Sequence, residues 1–137
     1  MIQRIQSVFL LVVIACGVCL LIFPFVSYEG YPPLFLHNPI DLTPLGNYLS
    51  ILNALLCLFM YKKRKIQVKL CYLIIVFNSC LFLTILFLTN QLYNHDFEKK
   101  TFLFPAYLPI VAIVAAFIAS RYIKKDEELV RSADRIR

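Results

Sequence analysis

Charged residues are scarce in this chain, and their scarcity limits the class of protein. Only 16% of its 137 residues are Asp, Glu, Lys or Arg, whereas 61% are hydrophobic. A soluble domain of this size carries about 25% charged residues. The deficit falls in long uncharged runs, which are typical of transmembrane segments. The net charge of +6 does not predict DNA binding, because the basic residues lie at the ends of these runs rather than across a polar surface.

The chain also lacks several motifs, and their absence excludes several kinds of functional site. Glycine occurs only at Gly17, Gly30 and Gly46, so the chain has no glycine-rich phosphate loop. Hydrolase and metalloprotease motifs and well-spaced carboxylate pairs are also missing, so we predict no enzyme activity and no cofactor. The five cysteines lie in or beside apolar runs, which argues against a disulfide framework or a zinc site. His37 and His95 lie in loops and are interpreted as solvated polar residues, not metal ligands.

The apolar runs predict an all-α fold, an integral membrane four-helix bundle that forms one domain over residues 1–137. The predicted spans are residues 7–26, 45–61, 68–89 and 104–123. The first is long enough to cross a bilayer at about 1.5 Å per residue, and we interpret it as an uncleaved signal-anchor helix. The outer loops are residues 27–44, which are rich in proline, and residues 90–103. We expect the first loop to pack on the membrane surface or on the second loop.

Basic residues predict the orientation of the bundle. The basic turn, residues 62–67, lies between the second and third spans and begins Lys62-Lys63-Arg64-Lys65. Twelve of the fourteen Lys and Arg residues fall on the side of this turn and of both termini. By the positive-inside rule, that side is cytoplasmic. The tail, residues 124–137, has neither Gly nor Pro, so the fourth helix is expected to continue out of the bilayer.

The central parts of the predicted spans contain no ionisable side chain. Transport pathways usually need such groups, so their absence disfavours a pump or secondary transporter. Asn53 and Asn78 are expected at similar depth on antiparallel neighbouring helices. We predict a hydrogen bond between their amides that joins the second and third spans. A water or polar-ligand site between the helices is the alternative use of this intramembrane pair.

Small residues predict which helices pack most closely. Ala112, Ala116 and Ser120 recur every four residues in the fourth span, and the first span carries Ala15 and Cys19. Small side chains let helix backbones approach each other, so we expect the first and fourth helices to pack together. A homodimer interface is the alternative use of the alanine stripe.

Three short segments carry a resemblance to a known family. They are Ile2-Gln3-Arg4-Ile5-Gln6-Ser7, Lys63-Arg64-Lys65-Ile66-Gln67-Val68-Lys69-Leu70-Cys71, and Asp126-Glu127 together with Val130 through Arg137. The chain resembles an uncharacterised family of small four-span inner-membrane proteins of Bacteroidota, a domain of unknown function. The resemblance implies a bacterial inner membrane and four helices, and it implies no activity. All three segments lie on the side predicted to be cytoplasmic, which favours a binding surface there.

The leading hypothesis is a non-enzymatic accessory or scaffold subunit of a bacterial inner-membrane complex. The predicted partner-binding residues are Arg4, Arg64, Gln67, Arg131, Asp134, Arg135 and Arg137. Arginine suits contact with a protein, or with RNA on a membrane-docked machine, because its guanidinium forms bidentate hydrogen bonds. Membrane lipids are the other expected partners. Two alternatives stay open: a small transporter or channel component with a polar layer at Asn53 and Asn78, and a membrane protein whose basic turn binds anionic lipid.

Overall fold

Four helices and one short ribbon make up the described part of the chain. A computed structural model describes residues 2–24, 26–28, 43–60, 63–93 and 100–134. In chain order the elements are α1 (Ile2–Ile22), β1 (Val26–Tyr28), α2 (Thr43–Phe59), α3 (Arg64–Tyr93), β2 (Lys100–Phe102), a 3-10 turn (Phe104–Tyr107) and α4 (Leu108–Asp134). The predicted all-α class is therefore confirmed for these residues, apart from the two three-residue strands.

The observed helices extend beyond the predicted spans at their polar ends. Helix α1 begins at Ile2, because the polar residues before the apolar run are good helix formers. It ends at Ile22, two residues before Pro24, since proline disfavours a helical conformation in the residue that precedes it. Helix α3 continues to Tyr93, because no Gly or Pro interrupts it after the apolar run.

Two prolines lie where α4 begins, and the tail, which has neither Gly nor Pro, allows the helix to continue. Pro105 lies at the start of the 3-10 turn and Pro109 lies in the first turn of α4, where a missing backbone N–H leaves no helical hydrogen bond unmade. The helix then runs unbroken to Asp134. The prediction that the fourth helix continues into the tail is confirmed for residues 124–134.

The bundle has two distinct ends. Near the first, Phe9 of α1 stacks on Tyr122 of α4 with ring centroids 6.0 Å apart, and Arg64 at the start of α3 pairs with Asp126. We call this the basic end. At the opposite, ribbon end, β1 and β2 pair antiparallel with Val26 opposite Phe102. The ribbon confirms a contact between the two outer loops, although residues 29–42 and 94–99 lie outside the described residues.

The predicted contact between the first and fourth helices is confirmed, because α1 and α4 pack directly against each other. The small-residue stripe of α4 is fully covered, with Ala112, Ala116 and Ser120 exposed by 2% or less. Helices in a bilayer associate through close packing, and small side chains permit it. Since the stripe is buried inside a single chain, it does not offer a surface to a second copy.

Three helices contain stretches that are long and apolar enough to cross a membrane: Ile5–Ile22, Arg64–Asn90 and Phe104–Val130. Helix α2 has a shorter apolar stretch, Pro44–Phe59. Its 17 residues rise by about 25 Å, whereas the hydrocarbon core of a bilayer is roughly 30 Å thick. The second predicted span is therefore helical, but it is shorter than its neighbours.

Candidate functional site

A two-point contact joins α3 to α4 at the basic end. The Nη2 atom of Arg64 lies 3.1 Å from Oδ2 of Asp126, and its Nη1 atom donates a hydrogen bond of 3.0 Å to the Asp126 carbonyl. The two side chains are only 24% and 16% exposed. Charge-assisted contacts of this kind are short and directional. Arg64, predicted as a partner contact, is thus engaged first within its own chain.

A second link lies further along the same two helices. Lys124 Nζ donates a hydrogen bond of 2.9 Å to the hydroxyl of Tyr72 and lies 5.3 Å from the centroid of its ring. Together with the Arg64–Asp126 contact, this link holds α4 against α3.

Gln67 links the start of α3 to the end of α2 in the interior of the bundle. Its side chain is 5% exposed, and its Nε2 donates a hydrogen bond of 3.1 Å to the Cys57 carbonyl. That carbonyl lies in the last turn of α2, where helical carbonyls lack a partner in their own helix. The Cys57 thiol donates in return to the Gln67 carbonyl at 3.6 Å. Gln67 was predicted to bind a partner, but the structure places it in the interior as a cap on α2.

A line of buried polar residues follows one face of α2. Asn47, Ser50, Asn53 and Cys57 are all 9% exposed or less. Their spacing of three or four residues places them on a single helical face. Sequence reasoning singled out Asn53 alone, although this spacing could have revealed the whole line. Such a face favours hydrogen bonds between helices.

At the ribbon end of this line, α1 and α2 approach each other closely. Asn47 Nδ2 donates a hydrogen bond of 2.9 Å to the carbonyl of Gly17. A Cβ atom on Gly17 would lie 2.7 Å from Cγ1 of Ile51, which is closer than side chains pack. A larger residue at position 17 would therefore have to displace the Ile51 side chain at this helix contact.

Asn78 has a different partner from the one predicted. Its Nδ2 donates to Ser50 Oγ at 2.7 Å and to the Ile74 carbonyl at 2.9 Å. Among the described residues, no hydrogen bond joins Asn78 to Asn53. The hydrogen bond between α2 and α3 that was expected is present, but its acceptor is a serine hydroxyl.

The register of the hairpin explains this difference. Cys57 Sγ lies 3.7 Å from Cys71 Sγ, and this contact sits two helical turns from the Ser50–Asn78 contact on both helices. In that register Asn78 is level with Ser50. Asn53 lies three residues, or about 4.5 Å, further along α2. The estimate of equal depth from the sequence was therefore wrong by less than one turn.

The remaining predicted contact residues fall at the margins of the described chain. The side chains of Arg4, Arg131 and Asp134 lie outside the described residues, although all three belong to helices. Arg135 and Arg137 lie entirely outside them. The structure does show the backbone of the tail segment, which we define as residues 127–134. Leu129 and Val130 in this segment are 49% and 45% exposed.

A comparison with protein families matches residues 37–136 to the family described as Domain of unknown function (DUF4293). The matched range is well over half of the chain and includes all of α2 and α3. This chain belongs to the DUF4293 family. The resemblance to an uncharacterised family is thereby confirmed. No curated protein and no solved structure matches the chain significantly.

The DUF4293 range holds both links of the basic end and almost the whole of the tail. The segment Ile2–Ser7, which also carried the resemblance, precedes it. Within this range Arg64 is paired with Asp126, whereas Lys63, Lys65 and Lys69 are exposed. The candidate site is therefore a cationic surface from which a helix projects with apolar and charged side chains. This combination of cationic, apolar and charged side chains is suited to binding a partner protein.

Proposed function

We propose that this DUF4293 protein is a non-enzymatic accessory or scaffold subunit of a protein complex in a bacterial inner membrane. The chain crosses the membrane four times, and its basic end faces the cytoplasm with both termini. The tail segment is the principal contact for a membrane or cytoplasmic partner, and the exposed lysines of the basic end flank it.

The path of the chain supports four crossings. Helix α1 starts at the basic end and leads to the ribbon, whereas α3 starts again at the basic end. The chain must return between them, and α2 is the described element that packs between α1 and α3 along this path. A short span is accommodated by local thinning of the bilayer and by flanking lysines such as Lys63 that reach the interface.

Charge supports the orientation. The lysines and arginines from Lys63 to Lys69, at the start of α3, and from Arg121 to Arg131, in the last part of α4, all lie toward the basic end. In the described part of the ribbon end, Lys100 is the single basic residue. The cytoplasmic side of a membrane protein carries the excess of Lys and Arg.

One observation carries the functional proposal: α4 continues as a regular helix beyond its last described link to α3. Arg64 is the first residue of α3 and its contact is Asp126, so residues 127–134 extend past the start of that helix by about 12 Å. Leu129 and Val130 are half exposed on this extension among charged neighbours. A helix with apolar anchors on a charged background is a common way to dock in the groove of a partner.

The two links at the base of the tail favour binding as well. Arg64–Asp126 and Lys124–Tyr72 hold α4 against α3 immediately before the tail segment. A helix held in place loses less conformational freedom when it binds. The fold therefore presents a preorganised helix to a partner.

Photo-crosslinking from the tail tests the proposal. A photoreactive amino acid replaces Leu129 in the full chain, and a matched position on α3, Val76, serves as the control because it is 54% exposed. We expect a protein adduct of discrete mass from position 129 in native membranes, and lipid adducts alone from position 76. Identical adducts from the two positions, or no protein adduct from the tail, would overturn the proposal.

A truncation separates the tail from the fold. Ending the chain after Asp126 removes the tail segment but keeps the ion pair with Arg64. We expect the shortened protein to remain in the membrane and to lose only the eight helical residues of the tail segment. It should no longer co-purify with the partner that crosslinking at position 129 of the full chain identifies. Retention of the partner by this variant would place the contact elsewhere.

A further inference from the structure

A long groove follows the outer face of α4. Its first part is a cavity of about 320 Å³ between α1 and α4, with Phe9 and Val12 on one wall and Val114 and Ile118 on the other. Its second part is a cavity of about 450 Å³ that is lined by Ile118, Arg121 and Lys125. Ile118 borders both, so the two cavities are parts of one groove. The groove is apolar toward the ribbon end and cationic toward the basic end.

The residues of the groove form one stripe along the helix. Val114, Ile118, Arg121 and Lys125 are separated by three or four residues, which puts them on the same face of α4. Ala112, Ala116 and Ala119, which are buried, occupy the opposite face. Over its apolar part this face of α4 is bordered by α1 but not fully covered, since Val111 and Val114 are 44% and 52% exposed.

The dimensions of the groove match one leaflet of a bilayer. Along the helix axis, Val114 in the apolar wall lies about 16 Å from Lys125. One leaflet contributes about 15 Å of hydrocarbon below its headgroups. An acyl chain along the apolar wall would thus bring its headgroup to the two cations.

The cations of this groove differ from the other basic side chains nearby. Arg64 pairs with Asp126 and Lys124 bonds to Tyr72. Arg121 lies over the Phe117 ring at 4.9 Å, and within the described part of the chain neither it nor Lys125 forms an ion pair. Two cations four residues apart at the end of an apolar groove favour an anion that carries a hydrocarbon chain.

We propose that this groove binds one anionic phospholipid of the cytoplasmic leaflet. An acyl chain lies against Val12, Val114 and Ile118, and the phosphate contacts Arg121 and Lys125. A zwitterionic lipid fits less well, because its own cationic group would lie beside the two basic side chains. The proposal rests on the membrane placement given above, and it concerns a different surface from the tail segment.

Lipid titration followed by native mass spectrometry tests the site. The full-length protein in a non-ionic detergent is titrated with phosphatidylglycerol and with phosphatidylcholine of the same acyl chains. For Arg121→Gln with Lys125→Gln we expect the affinity for phosphatidylglycerol to fall by about 25-fold, because each lost cation weakens anion binding by about fivefold. Affinity for phosphatidylcholine should change little.

The matched control removes two charges elsewhere. Lys65→Gln with Lys69→Gln has the same four-residue spacing, on α3 and outside the groove. It should keep phosphatidylglycerol binding within about threefold of the original. The charge-preserving pair Arg121→Lys with Lys125→Arg should also keep it. Equal losses from both neutralised pairs, or equal affinity of the unaltered protein for the two lipids, would overturn the proposal.

The acyl part of the site has its own test. Val114→Trp fills the apolar groove and should lower phosphatidylglycerol binding, whereas Val76→Trp, at a position of similar exposure on α3, should not. Inorganic phosphate is the probe for the headgroup alone. If it binds as tightly as the lipid, the site is a phosphate site and the lipid proposal fails. Membrane placement is checked separately, since release of the protein by alkaline carbonate would refute it whatever the lipid selectivity.

Discussion

Arg64 binds both the carboxylate and the backbone carbonyl of Asp126. This contact joins the first residue of α3 to the base of the helical tail. The contact couples the basic turn to the tail across 62 residues of sequence. The basic turn and the tail, whose charges are mixed, are thereby held together as one surface with a fixed geometry.

Removing the Arg64 side chain tests this coupling. We expect Arg64→Gln to lower the free energy of unfolding by about 1–3 kcal/mol, because a shielded carboxylate loses its charged partner. Thermal or denaturant unfolding in detergent measures the effect. Lys65→Gln is the matched control, since Lys65 is the exposed neighbour, and it should change stability by less than about 0.5 kcal/mol. Equal effects from the two substitutions would show that the contact contributes nothing.

Gly17 and Gly46 form a matched pair of helical glycines with opposite expected responses. At Gly17 a new Cβ would lie 2.7 Å from Ile51 Cγ1, so Gly17→Ala should destabilise the bundle by about 1–3 kcal/mol through overpacking. At Gly46 the nearest atom to a new Cβ is Leu81 Cγ at 3.7 Å, an ordinary contact. Gly46→Ala should therefore be neutral or stabilise by up to about 1 kcal/mol. Unfolding measurements on the two variants would contradict the structure if their order were reversed.

The hairpin register predicts which polar pair is coupled. A double-mutant cycle of Ser50→Ala and Asn78→Leu should give a coupling energy of about 0.5–1.5 kcal/mol, because the two side chains share a hydrogen bond. The parallel cycle of Asn53→Leu and Asn78→Leu should be additive. Strong coupling of Asn53 with Asn78 would mean that α2 and α3 pack in another register.

We expect Gln67 to contribute to the stability of the bundle rather than to the binding of a partner. Gln67→Leu leaves the Cys57 carbonyl at the end of α2 without its hydrogen bond, which should cost about 1–3 kcal/mol. Partner capture by the tail segment should persist under conditions where the variant stays folded. Loss of the partner at unchanged stability would restore Gln67 as a contact residue.

Reporter fusions test the orientation of the bundle. Green fluorescent protein fused after Arg137 should fluoresce, and alkaline phosphatase at the same position should be inactive, because the basic end is proposed to be cytoplasmic. Fusions after Tyr93, at the opposite end of α3, should show the reverse pattern. The same reporter response at both positions would contradict a membrane crossing by α4, which lies between the two fusion points.

Interior contacts were the hardest part to foresee. The apolar runs and the small residues of α4 led correctly to four helices and to the pairing of α1 with α4. The partners of Asn78 and Gln67 were not foreseen, because they depend on the register of two helices to within one turn. A turn of about 5.4 Å is less than the uncertainty of placing a span by its hydrophobicity.

Composition by itself determined that the chain forms long apolar helices with basic residues gathered at their ends. Those features depend on local helix propensity and on the transfer of side chains out of water, and neither needs knowledge of neighbours. Only the tertiary structure decided that Arg64 meets Asp126, that Asn78 meets Ser50, and that an apolar groove ends at Arg121 and Lys125. These are contacts between side chains distant in sequence or on adjoining helix faces, and packing selects them at a scale of a few ångströms.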